Sequence, residues 1–288
     1  MTISGALAEG RRRLAGHSAT PELDAEVLLA HLLNGSRSSL IAEGRELLDA
    51  QTFQRFDQLL QRRSQGEPVA YLTGEKEFWS LKLKVTKDVL VPRPETELLV
   101  EWVLELFDSS FPRKRESSLR IADLGTGSGA IALALAKELS RADIVATDSS
   151  GAALAVARRN AVDNGLDRVR FHEGNWFKAL DSRFRGNDGT VEFILSNPPY
   201  IALGDPHLAD LRFEPAAALT AGPDGLAALR KIISGAGKFL KPTGWLLLEH
   251  GAEQGAAVRE LFKAADFGKI ETRRDLAGLE RATGGQWQ

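Results

Sequence analysis

The chain has 288 residues, 43% hydrophobic and 26% charged, with a formal net charge of −2. This is an ordinary globular composition, long enough for two domains, and it excludes nucleic-acid binding driven by overall charge, while a local basic face stays open. There are no cysteines, which excludes disulfides and thiolate metal sites.

The start, Met1 to Gly16, carries Glu9 and Arg11-Arg12-Arg13 and lacks the apolar core of a signal peptide. No apolar stretch approaches the ~20 residues that span a bilayer. A reducing, cytoplasmic setting with no membrane partner is expected.

Residues 1–65 read as helices. Leu23, Val27, Leu28, His31 and Leu32 recur at helical spacing. Thr20-Pro21-Glu22 predicts a helix start, with Thr20 as N-cap and Pro21 in the first turn. Phe53, Phe56, Leu59 and Leu60 repeat the pattern, giving a small helical domain; the arginines at 11–13 fit a solvated helix face. From Gly66 the pattern changes. Phe78, Leu81, Leu83 and Val85 suit a short hairpin, so 66–92 reads as a hairpin linker. Pro92 and Pro94 interrupt regular structure before a helix starting near Glu95, and a second domain is expected over 93–288.

In that domain strand and helix alternate. Strands are expected at 119–124, 143–148, 168–173, 191–196, 244–249, 268–273 and 280–286, and helices at 129–139, 150–164, 226–240 and 252–265. Such alternation predicts a parallel sheet covered on both faces. The last two strands have no helix between them, which predicts a terminal hairpin with one antiparallel strand, hence a seven-stranded mixed sheet. Two polar, basic segments, 110–118 and 181–189, sit between a helix and a strand and read as tolerated surface insertions.

The first chemical motif is Asp123-Leu-Gly-Thr-Gly-Ser-Gly129, where a strand turns into a helix. Gly125, Gly127 and Gly129 allow positive φ and close approach of a ligand to the main chain. Thr126 and Ser128 complete the loop, and the helix N-terminus presents unpaired amides. Asp148 ends the next strand, where a carboxylate can accept from both hydroxyls of a ribose. The pattern is Gly-x-Gly-x-Gly rather than Gly-x-Gly-x-x-Gly; glycines alone do not separate a nicotinamide dinucleotide from S-adenosylmethionine. Asn175 and Trp176 follow the third strand, where Asn175 can bond an adenine edge and Trp176 can stack on its face, or simply fill the core.

The second motif is Asn197-Pro-Pro-Tyr200, after the fourth strand. The Asn197 side-chain oxygen and the Pro198 carbonyl can both accept from one NH2 group and aim its lone pair. Pro198 and Pro199 stiffen that geometry, and Tyr200 can pack flat on a planar substrate group. Together the motifs point to methyl transfer from S-adenosylmethionine to an amide or amino nitrogen, with no metal.

These residues resemble the HemK/PrmC family, methyltransferases of the glutamine in the Gly-Gly-Gln motif of peptide chain release factors. The resemblance spans nearly the whole chain: Asp24-Ala-Glu-Val-Leu-Leu29, Gly66-Glu-Pro-Val-Ala-Tyr-Leu-Thr-Gly74, Glu77-Phe-Trp-Ser-Leu81, Val91-Pro-Arg-Pro-Glu-Thr-Glu97, both motifs above, Arg212-Phe-Glu-Pro215 and Leu246-Leu-Leu-Glu-His-Gly251. It implies a Rossmann-like class I S-adenosylmethionine-dependent methyltransferase domain behind a helical domain that recognises the protein substrate. It implies cofactor contacts at Gly125 to Gly129, Asp148, Trp176 and Asn197, and a substrate clamp at Asn197 to Tyr200. Arg93 and Glu97 fall in a family motif near the site mouth, either touching substrate or forming a structural ion pair. A monomer with no direct nucleic-acid substrate is expected. A ribosomal-protein glutamine, an adenine or cytosine amino group reached by base flipping, and a non-catalytic adaptor are the alternatives. The tail Gly284-Gly-Gln286 spells the target motif; a place in the final strand, anchored by Trp287, predicts that Gln286 is not self-methylated.

Overall fold

The computed structural model describes residues 1–110, 119–180 and 189–288. Both basic insertions therefore lie almost wholly outside the described residues. Two compact units are present, Met1–Glu75 and Lys76–Gln288.

The first unit holds α1 (Ile3–Leu14), α2 (Pro21–Leu32), α3 (Arg37–Ala42), α4 (Ala50–Ser64) and α5 (Val69–Thr73). Thr2, Ser36 and Asp49 cap α1, α3 and α4 by accepting from the backbone N–H three residues on. Leu14, Leu28, Leu29, Phe56 and Leu60 form the core. At Gly10 a Cβ would lie 2.9 Å from that of Ala25 and 3.1 Å from the Phe56 ring, so glycine lets α1 approach its neighbours. Arg11 and Arg12 are exposed.

Two expectations fail locally. Thr20 does not cap α2: its hydroxyl bonds the Asp24 carboxylate at 3.2 Å, and Pro21 alone sets the first turn. The buried face of α2 is Asp24, Ala25, Leu28 and Leu29, and Leu23 is exposed. A partly buried ion pair draws Asp24 inward, with Arg63 Nε donating to it at 2.6 Å. The helical unit also extends ten residues beyond the expected 65, because Leu72 joins its core.

The second unit opens with the hairpin β1 (Glu75–Phe78) and β2 (Leu81–Lys84), whose turn residues Trp79 and Ser80 both take left-handed φ. A 3-10 turn, Pro94–Thr96, leads into α6 (Glu97–Ser110). Then follow β3 (Arg120–Leu124), α7 (Ala130–Glu138), β4 (Asp143–Asp148), α8 (Gly151–Asp163), β5 (Arg170–Glu173), β6 (Val191–Ser196), α9 (Ala227–Ala236), β7 (Leu240–Glu249), α10 (Gly255–Ala264), β8 (Phe267–Arg274) and β9 (Glu280–Trp287). The seven strands β3 to β9 form one sheet in the order β5-β4-β3-β6-β7-β9-β8. Neighbours from β5 to β7 pair in parallel, and β9 runs antiparallel to both β7 and β8.

Alternate residues of each central strand face opposite layers. Ile121, Phe193, Leu195 and Leu247 face a core shared with α6, α7 and α8, which also takes Phe78, Leu81 and Leu83 of the hairpin. Ala122, Ile194, Leu246 and Leu248 face a core shared with α9 and α10. In β9, a Cβ on Gly284 would lie 2.5 Å from Leu247 and 2.8 Å from Trp102, and one on Gly285 would lie 2.6 Å from Phe262. Packing against both layers therefore accounts for the paired glycines. Trp287 stands edge-on to Phe267, ring centres 5.2 Å apart, and Gln286 Nε2 donates to the Thr243 carbonyl at 2.9 Å. Among the described residues no helix is long and apolar enough to cross a membrane.

Candidate active site

The carboxyl ends of β3, β4, β5 and β6 border a cleft of about 250 Å³, where open parallel sheets bind ligands. Its first wall is the glycine loop. Gly125, Gly127 and Gly129 have φ of +72°, +55° and +88°, a region that side chains with a Cβ rarely adopt. The Gly125 and Thr126 N–H groups donate to the Thr147 carbonyl at 2.8 and 2.9 Å, tying the loop to β4. Asn160 of α8 accepts from Lys84 N–H at 2.6 Å and donates to the Ser128 carbonyl at 2.8 Å, bracing the loop from behind.

Asp148 lines the cleft with its carboxylate already oriented. The Gly127 N–H donates to one oxygen and the Ser150 N–H to the other, each at 2.9 Å. A carboxylate oxygen has two acceptor sites, so each keeps one for a further donor. Asp123, on β3 just before the loop, is fully buried, and burial pushes its carboxyl up to about 7. Its Oδ2 accepts from Thr126 Oγ1 at 2.6 Å, and its Oδ1 has no hydrogen-bond partner among the described residues.

Asn175 and Trp176 line the same cleft. Trp176 has φ +53°, unusual for a large side chain. Its ring edge would lie 3.4 Å from a Cβ on Gly125, so glycine at 125 leaves room for the indole. The ring also packs on the core under α9, so it both fills core and walls the cleft. Asn175 Oδ1 accepts from Lys231 Nζ at 3.4 Å.

Asn197 lines this cleft and also a smaller adjoining cavity of about 70 Å³. Pro199 faces the larger space, and Pro198 and Tyr200 face the smaller. The Asn197 side chain donates through Nδ2 to Thr96 Oγ1 at 3.0 Å, and its Oδ1 has no partner among the described residues. The Tyr200 hydroxyl donates to Glu249 Oε1 at 3.2 Å, and Gln254 Nε2 donates to the Tyr200 carbonyl at 3.0 Å. Burial and the Glu249 charge push the phenol well above its ordinary range.

Arg93 lines both cavities and pairs with buried Glu214, which also accepts from the Val91 N–H at 3.1 Å. Glu214 thus fixes the Val91-Pro-Arg93 strap. Glu97 lines neither cavity: its Oε1 accepts from the Trp79 N–H at 2.7 Å, anchoring the hairpin turn. Sequence reasoning missed Thr96, Asp123, Asn160, Glu214 and Glu249 as parts of the site. The available signal was a lone acid closing an apolar strand, as at Glu249, since a buried charge requires partners.

The PrmC N-terminal domain family matches residues 5–74, and the Methyltransferase domain family matches 115–282. A release factor glutamine methyltransferase of Burkholderia pseudomallei is 51% identical over 272 residues, covering 92% of this chain and 91% of the relative. The chain belongs to the release factor glutamine methyltransferase family. A second member, from Coxiella burnetii, is 46% identical and covers 98% of this chain and 97% of its own length. The hMettl16 catalytic domain, crystallised with an RNA hairpin, shares 17% identity at a TM-score of 0.57, covering 85% of this chain and 84% of that one, a likeness of fold alone.

S-adenosylmethionine is the methyl donor of this family's methyltransferase domain. The cleft suits it: a left-handed glycine loop leads into a helix N-terminus that can face a carboxylate, and Asp148 keeps acceptor capacity for a diol.

Proposed function

We propose that this family member methylates the side-chain amide nitrogen of the glutamine in the Gly-Gly-Gln motif of peptide chain release factors. One observation carries the reading: Asn197 stands between the two cavities with Nδ2 already committed and Oδ1 unpartnered. An unpartnered acceptor there calls for a substrate that donates, and a primary amide does.

Gly125 to Gly129, Asp148, Asn175 and Trp176 are the residues proposed to hold S-adenosylmethionine, and Asn197 borders it. When bound, it supplies an electrophilic methyl group on a sulfonium. The chain's own task is to present the nucleophile. An amide nitrogen is weak because its lone pair is delocalised into the carbonyl. Asn197 Oδ1 and the Pro198 carbonyl, accepting both N–H bonds of one NH2, pull the hydrogens to one side and favour pyramidal nitrogen. Pro198 and Pro199 keep the acceptors from moving away, so orientation is set before the reaction. Tyr200 and Arg93 border the smaller cavity, where the glutamine chain enters. The proton on the alkylated nitrogen leaves to water afterwards, so no general base is needed beforehand. Residues 1–65 are assigned the recognition of the intact release factor, and 93–288 the chemistry. Cleft and clamp come from one chain, so a monomer suffices; a translation factor as substrate places the reaction in the cytoplasm.

The test incubates the full chain with methyl-labelled S-adenosylmethionine and, separately, a release factor, a ribosomal protein mixture and DNA. Peptide mass spectrometry should place one methyl group on the Gly-Gly-Gln glutamine. Label on ribosomal protein or DNA alone would overturn the assignment.

A further inference from the structure

Behind the clamp, outside both cavities, lies a carboxylate that touches one end, Tyr200, directly and reaches the other, Asn197, through Thr96. Glu249 is 1% exposed at the end of β7. Its Oε2 accepts from Thr96 Oγ1 at 2.6 Å, and its Oε1 accepts from the Tyr200 hydroxyl at 3.2 Å. Thr96 is itself 4% exposed and takes the Asn197 Nδ2 bond at 3.0 Å.

The direction of these bonds follows from donor counting. A threonine hydroxyl has one hydrogen. Above about pH 7, where Glu249 is ionised and lacks a donor of its own, the threonine gives that hydrogen to Glu249, so only lone pairs remain toward Asn197. Asn197 must then present NH2 to Thr96 and its carbonyl oxygen to the cavities. In the opposite flip, Thr96 would have to donate to Asn197, Glu249 Oε2 would lose its donor, and NH2 would meet the substrate NH2. Asparagine flips are ordinarily ambiguous; with Glu249 ionised, its demand for the threonine hydrogen settles the choice.

We propose that Thr96 and Glu249 are positioning residues that hold Asn197 with its carbonyl oxygen toward the substrate, and so make the clamp select an amide over a carboxylate. The inference rests on the glutamine-methylation reading above. It adds that clamp chemistry is dictated from the second unit's interior, by a residue of the turn before α6 and another of β7. Thr96 reaches the wall of the larger cleft beside Asn197 and Glu249 lines neither cavity; both act through Asn197.

Thr96→Val keeps the shape and removes the hydroxyl, and Thr96→Ser keeps the hydroxyl. Three readouts are made on the full chain at about pH 8, where Glu249 is ionised: single-turnover methylation of release factor, S-adenosylmethionine affinity by calorimetry, and competitive inhibition by a release factor whose Gly-Gly-Gln glutamine is replaced by glutamate. In Thr96→Val, methylation should fall roughly 10- to 100-fold, the range for one buried hydrogen bond, with cofactor affinity within about twofold of the parent, since the flip does not alter the glycine loop. Thr96→Ser should stay within about threefold of the parent, because its hydroxyl can make both bonds. The glutamate factor should inhibit Thr96→Val more strongly than it inhibits the parent, because an Asn197 released to flip offers NH2 to a carboxylate. A merely structural threonine would not improve binding of the wrong side chain. Undiminished methylation by Thr96→Val, equal losses in both variants, or unchanged inhibition by the glutamate factor would overturn the relay. Absence of methylation by the parent enzyme would instead overturn the functional reading, and this inference with it.

Discussion

Replacing Asp148 by asparagine separates two roles that the structure superimposes on one carboxylate. Each of its oxygens already accepts a backbone N–H at 2.9 Å, from Gly127 and from Ser150. Asparagine has one acceptor oxygen, so one flip sets its NH2 against the Gly127 N–H and the other sets it against the Ser150 N–H. Either way one backbone donor loses its partner, and the proposed ribose diol meets at most one acceptor. Hydrogen bonds to a charged group are worth roughly 1.5–3 kcal/mol each. Loss of one from the cofactor amounts to about 1.5–3 kcal/mol, and the one that remains is weakened by loss of the charge, so affinity should fall at least ~10-fold. Folding should suffer less, by about 1 kcal/mol. Ser150 Oγ still accepts from the Ala153 N–H at 3.1 Å, so the cap of α8 survives. Calorimetric titration with S-adenosylmethionine and a urea melt of the cofactor-free chain measure the two quantities. Affinity within twofold of the parent would refute the diol role and leave Asp148 as a loop anchor only.

Asn197→Ala should lower single-turnover methylation by roughly 100- to 1000-fold, as when one preorganised hydrogen bond is lost, while cofactor affinity falls much less; near-normal turnover would remove the clamp from the mechanism. Burial raises the Glu249 carboxyl from 4.5 to about 7. Between those values the folded chain holds a proton that the unfolded chain has released, so stability declines as pH rises through the window, by up to about 3 kcal/mol, and is level above it. Asp123 acts in the same sense from 3.8 to about 7. Glu249→Gln should therefore lessen the decline of the urea midpoint between pH 5 and 8, the Asp123 part remaining, and an unchanged slope would contradict the burial account. Gly284→Ala should destabilise by roughly 1–3 kcal/mol by overpacking, since its Cβ would lie 2.5 Å from Leu247. Gln286 should gain no methyl group on incubation with S-adenosylmethionine, read by mass spectrometry of the C-terminal peptide, because its amide is held on Thr243 within the sheet.

Much of the fold was legible in the chain because the signals are local. The alternation from β3 to β9 is written in runs of four to thirteen residues, each set by its own periodicity. The glycine loop announces its left-handed backbone, since few other residues sit at φ +72°, +55° and +88° in sequence. Asn197-Pro-Pro-Tyr200 announces stiff acceptors for the same reason. Local signals misled where a distant partner intervened. Leu23 fits the helical stripe of α2, but the Arg63 ion pair rotates Asp24 inward and leaves Leu23 exposed. Glu97 belongs to the strap motif, yet its carboxylate goes to the Trp79 backbone rather than to the cleft. The orientation of Asn197 was beyond any local reading. It depends on Thr96, 101 positions earlier, and through it on Glu249, 153 positions from Thr96. Composition and periodicity specify which atoms are available and which backbone shapes they allow. Only the folded chain decides which donor meets which acceptor, because a hydrogen bond depends on separation in space and records nothing of separation along the sequence.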